Sequence, residues 1–97
     1  MTHRCHLPGC ETTCPPLHLF CAKHWAMVPD DQQALVYETL KTRGARVDET
    51  WAPWWRAQAE ATRTVMQKVY PAKIDLVEAH HARAIRFAVT LEEGEEQ

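Results

Sequence analysis

From residue 29 onward, apolar side chains recur every three or four positions, the spacing of helices that bury one face. Pro29-Asp30-Asp31 reads as a helix start, with carboxylates where the helix dipole favours them. Leu35, Val36 and Leu40, with Ala34 and Tyr37, form the apolar stripe, and Lys41, Arg43 and Gly44 supply a cationic last turn and a stop. The pattern predicts a first helix over 30–43. A second, over 51–69, carries Trp51, Trp54 or Trp55, Gln58, Thr62, Val65 and Val69 at helical spacing. Asp48 or Thr50 is positioned to cap it, Pro53 is tolerated in its first turn, and Tyr70-Pro71 ends it. A third is predicted over 71–91, burying Ile74, Val77, Ile85 and Ala88. Residues 44–48 read as a hinge, and strand signals are nearly absent.

Residues 1–29 have no such period. They carry all four cysteines of the 97-residue chain, at positions 5, 10, 14 and 21, with His24 three residues after the last. Cys5, Cys10, Cys21 and His24 form a C-x4-C-x10-C-x2-H series, a donor set and spacing suited to tetrahedral zinc. Ligands three apart, such as Cys21 and His24, lie on one side of a single turn. Between Cys5 and Cys10, Pro8-Gly9 has the chemistry of a tight turn that folds the second thiol back toward the first. Cys14 precedes Pro15-Pro16 in an extended loop and is the alternate ligand, in place of Cys10 or His24. His3, His6 and His18 read as solvated loop residues.

A disulfide framework is the competing use of four cysteines. The N-terminus lacks the apolar run of a signal peptide, and no stretch is long enough to span a membrane. The expectation is therefore a cytoplasmic protein with reduced thiols, in which such a cluster holds metal. One structural zinc ion also suits the length, because a small domain buries a modest share of its surface and benefits from a staple.

The run Cys5-His6-Leu7-Pro8-Gly9-Cys10, then Pro15-Pro16, then Cys21-Ala22-Lys23-His24-Trp25 and Val28-Pro29, resembles a group of small zinc-binding proteins of tailed phages and prophages. The likeness covers about residues 5 to 40. It implies Cys5, Cys10, Cys21 and His24 as ligands, since Cys14 is not a fixed position of that pattern, and it places the protein in the host cytoplasm. It implies no reaction.

The fold expected is mainly α. A zinc-binding N-terminal loop (1–29), resembling a zinc-finger knuckle, packs on a small bundle or hairpin of about three helices (30–91), followed by a disordered acidic tail (92–97), all in one domain. Trp25 is expected to pack the loop onto the first helix.

Three tryptophans at 51, 54 and 55 span too much of a helix circumference to share one narrow core, so they are partner-binding candidates, tryptophan being enriched at binding hot spots. The plainer reading makes two of them core and one partly exposed. His80 and His81 point about 100° apart on a helix and do not make the i, i+4 metal pair. With no phosphate loop, nucleophile elbow or other catalytic constellation, the sequence predicts a non-enzymatic protein-interaction module, binding a protein partner or a second copy of itself; the phage resemblance implies an accessory or inhibitory role for it. The alternative is a nucleic-acid-binding zinc protein using Lys73, His80 and Arg83. A formal charge of −2 works against that, since phosphate binding draws on many cationic contacts.

Overall fold

The computed structural model describes residues 2–15 and 18–94. Two short strands, β1 (His3–Arg4) and β2 (Thr13–Cys14), pair antiparallel with His3 opposite Cys14 and Arg4 opposite Thr13. Four helices follow: α1 (Ala22–Trp25), α2 (Asp30–Thr42), α3 (Ala52–Val69) and α4 (Ile74–Glu92). A 3-10 turn over Glu49–Trp51 leads into α3. The architecture is thus mainly helical, as the periodicity predicts, with a small N-terminal region packed on the helices whose two short strands the sequence does not announce.

The helix boundaries follow from local chemistry. Asp48 accepts a hydrogen bond from the Thr50 backbone N–H and so caps the 3-10 turn, and Pro53 stands in the first turn of α3. The third predicted helix begins at Ile74 rather than 71, because residues 71–73 form a turn after Pro71 and the Lys73 N–H bonds back to the Tyr70 carbonyl.

This late start changes the buried face. Ile74, expected in the core, is 67% exposed at the helix tip, while Val77, Ala84 and Ala88 are buried and Ile85 is half-buried. On the side of α3 whose Trp55, Arg56, Glu60 and Arg63 meet α4, the buried residues are Ala52, Ala59 and Met66. Alanines on both helices let the two backbones approach closely. In α2 the buried positions are Val36 and Thr39, whereas Leu35 and Tyr37 of the predicted stripe are about half exposed. Thr39 sits there because its hydroxyl donates to the Leu35 carbonyl and needs no other partner.

The N-terminal loop contributes Leu7, Phe20 and Val28 to the same core, in one cluster with Val36, Ala57, Ala61, Val65, Met66 and Val77. Each Val, Leu, Phe or Met side chain among them adds about 1.5–3 kcal/mol through burial. Trp25 meets Tyr37 of α2 edge-on at 5.4 Å, and Gln33 of α2 donates to the Trp25 carbonyl. That fulfils the role expected of Trp25.

One residue of the predicted acidic tail, Glu92, is helical. Glu92 is the last residue of α4 and takes a two-pronged bond from Arg56 of α3, at 2.8 and 2.6 Å. Residues 95–97 of that tail lie outside the described residues.

Candidate metal centre

The loop is folded by its own backbone before any side chain is considered. The N–H of Cys5 bonds to the Thr12 carbonyl, that of His6 to the Leu19 carbonyl, and that of Cys10 to the Leu7 carbonyl. The last closes the turn through Pro8-Gly9, where Gly9 has φ +89°, a conformation open to glycine and strained for other residues. Cys21 is the N-cap of α1, and the Trp25 N–H bonds to its carbonyl, so Cys21 and His24 share one helical turn.

These constraints bring Cys5, Cys10, Cys21 and His24 together, with one donor atom from each and all four atoms within 4.8 Å of one another. Cys10 Sγ lies 4.0 Å from Cys21 Sγ. His24 presents Nδ1, at 3.6 Å from Cys5 Sγ and 3.3 Å from Cys21 Sγ. A tetrahedral ion with metal–sulfur bonds of about 2.3 Å and metal–nitrogen bonds of about 2.0 Å has edges of about 3.5–3.8 Å, so the donors already stand near its corners. The four cysteines are free thiols. The four-donor cluster is therefore able to hold a metal ion.

Burial shapes the donors' proton affinity. It pushes the Cys5 thiol up to about 11 and holds His24 below the usual imidazole range, the latter helped by the charge of Lys23. Cys10 is shifted the other way, chiefly by a hydrogen bond from the Thr12 backbone. Without a cation, Cys5 keeps its proton and His24 stays neutral near pH 7. A bound dication would displace the thiol protons and take the neutral imidazole as it stands. Cys10, the least buried of the four, borders a cleft shared with Lys23 and Tyr70, which gives an ion a route in.

Cys14, the alternate ligand, is outside the cluster. It is buried on β2, donates its thiol to the His18 carbonyl, and lies 3.8 Å from His3 Nε2 across the hairpin. His6 differs from the solvated residue expected: it is half-buried, edge-on to Phe20 at 6.4 Å, and burial lowers its pKa.

The three tryptophans are all half-buried and form an edge-to-face run, Trp51 to Trp54 to Trp55, that continues to Phe87 of α4. Trp51 is committed internally, its indole N–H donating to the Gly44 carbonyl. Arg43 covers it, with the guanidinium carbon 4.0 Å from the Trp51 ring centre and 4.7 Å from that of Trp54. This clamp on the 43–51 connection escaped the sequence reading, which took Arg43 only as a helix-ending cation. His81 bonds to Glu60 at 2.6 Å, and His80 is half-buried, so neither joins a second metal cluster among the described residues.

No helix among the described residues is long and apolar enough to cross a membrane. Compared with protein-family models, curated proteins and solved structures, the chain matches none of them.

Proposed function

We propose that this chain is a small zinc-stapled, non-enzymatic protein-interaction module, of the accessory or inhibitory kind that its resemblance to phage zinc proteins implies. The observation that carries the reading is the convergence of three thiols and one imidazole, a set that fills a tetrahedral zinc ion and leaves no position for a reactive water. When bound, the zinc would supply cross-linking of the loop, held by Cys5, Cys10, Cys21 and His24.

The partner surface we assign lies on α4. Leu76 and Phe87 are eleven residues apart, three turns, so they fall on one stripe; they are 52% and 40% exposed. Trp55 packs on Phe87 at 4.7 Å, and its indole N–H has no hydrogen-bond partner among the described residues. Of the three tryptophan candidates, Trp55 is thus the one in contact with that stripe, its indole N–H buried rather than offered to solvent. The nucleic-acid alternative draws less support. His80, beside Lys73 and Arg83, is held below the usual imidazole range by burial and by Arg83, which leaves that face few cations.

Size-exclusion chromatography with light scattering on zinc-loaded protein tests self-association directly. A dimer that Phe87→Asp reduces to monomer supports the α4 face. A dimer indifferent to that change, or salt-sensitive binding to DNA or RNA, contradicts it.

A further inference from the structure

A cavity of about 620 Å³ lies between the N-terminal hairpin and α2, with Thr12, Cys21 and Ala22 between it and the Cys10 cleft. Its size falls in the range of small-molecule sites, about 300–1,000 Å³. The walls are apolar and aromatic: Phe20, Trp25, Tyr37, Leu40 and Trp54 all line it. At the Trp54 end stands Arg43, and His3, His6 and His18 also border it. None of the described lining residues is acidic, in a chain that carries 13 aspartates and glutamates against 11 lysines and arginines.

Arg43 makes the charge pattern specific. Its guanidinium carbon lies 4.0 Å from the Trp51 ring centre and 4.7 Å from that of Trp54, two rings 75° apart, so the pair of indoles holds it in place by cation–π contact. It forms no ion pair among the described residues, although Arg56 and Arg63 each pair with a glutamate. Burial pulls its pKa below the ordinary guanidinium value, and no neighbouring carboxylate offsets that. A partly desolvated, indole-flanked guanidinium without an ion pair among the described residues, beside an aromatic cavity, matches a ligand with a flat apolar body and one carboxylate, the group that pairs best with guanidinium.

We infer that this cavity binds a small planar aromatic carboxylate, its ring among Trp25, Tyr37 and Trp54 and its carboxylate on Arg43. The inference is independent of the α4 interaction surface, since the two lie on different elements and no residue of the α4 stripe lines the cavity.

The test uses the zinc-loaded 97-residue chain and two probes of one shape, 2-naphthoate and its uncharged amide, 2-naphthamide, followed by calorimetry and tryptophan fluorescence. The expected result is saturable 1:1 binding of naphthoate, with the amide at least tenfold weaker. Arg43→Gln is expected to bring naphthoate down to the amide's affinity. Arg43 also clamps the 43–51 connection, so the comparison of the two probes on the unaltered chain stands by itself if that variant is unstable. Equal binding of the two probes, or no binding of naphthoate at millimolar concentration, overturns the inference. So does binding confined to an acidic aromatic peptide that naphthoate fails to displace, which would make the cavity a peptide site.

Discussion

The hydroxyl of Tyr70 donates a 2.7 Å hydrogen bond to the carbonyl of Pro8, joining the end of α3 to the turn that carries Cys10, across 62 positions of sequence. Gly9 makes this approach possible. A Cβ built there stands 2.6 Å from the Tyr70 hydroxyl oxygen, and the φ of +89° disfavours any side chain. The metal loop is therefore fastened to the helices by a backbone contact as well as by its share of the core.

That contact predicts a coupled pair of substitutions. Tyr70→Phe should cost about 1 kcal/mol, the usual net value of one hydrogen bond. Gly9→Ala should cost more, about 1–3 kcal/mol for the backbone conformation alone, with the clash in addition. In the Tyr70→Phe background the clashing oxygen is gone, so Gly9→Ala should cost less there than in the parent chain. Denaturant titration of the four proteins checks this, and strict additivity would contradict the packing described.

Metal removal should act unevenly. The amides of Cys5, His6 and Cys10 bond to carbonyls within the loop, which the four donors would cross-link around an ion, whereas α3 and α4 hold each other through the Trp55–Phe87 ring contact and the Arg56–Glu92, Arg63–Glu78 and Glu60–His81 pairs. Chelation should expose the loop amides to hydrogen exchange first, while the α3–α4 pair keeps its helicity at reduced stability. Structural zinc contributes about 10 kcal/mol or more in small zinc-finger peptides, so a large fall in melting temperature is expected. Unchanged loop protection after verified metal loss would show that the loop needs no ion.

Acid should weaken the fold partly through His80. Burial, then the charges of Arg83 and His81, hold its pKa below the ordinary 6.5, and His6 faces it from the loop. The unfolded chain thus takes up the proton more readily than the folded one. The contribution of His80 is complete above pH 6.5 and declines as pH falls through 6.5 toward the lower folded-state value. The stability gap between the parent and His80→Gln should therefore shift in favour of the variant between pH 7 and 5. A gap independent of pH would mean that His80 is solvated in the folded chain.

Much of this was legible in the residues. Periodicity located the helices to within a few positions, because Pro29, Gly44, Pro53 and Pro71 mark their ends by backbone chemistry alone. Cys21 and His24 announced themselves by sharing one turn. What escaped was tertiary. Nothing local told Ile74 from Val77; only the turn over 71–73 left the first outside the core. Leu35 and Tyr37 lay exposed because α2 offers its Val36–Thr39 edge to α3, a choice made by the partner helix rather than by α2's own pattern. The Tyr70–Pro8 bond and the stacking of Arg43 on Trp51 each join residues whose pairing no spacing rule reveals.

If Cys5, Cys10, Cys21 and His24 enclose one structural zinc ion, X-ray absorption at the zinc edge on stoichiometrically loaded protein will read their atoms in its shell. The account predicts one zinc per chain with three sulfurs at about 2.3 Å and one nitrogen at about 2.0 Å. It also predicts that Cys14→Ser leaves this shell intact while Cys10→Ser removes a sulfur from it. A shell with a water oxygen in the fourth position, a shell that loses sulfur on Cys14→Ser, or a chain that binds no zinc with its thiols reduced would contradict it.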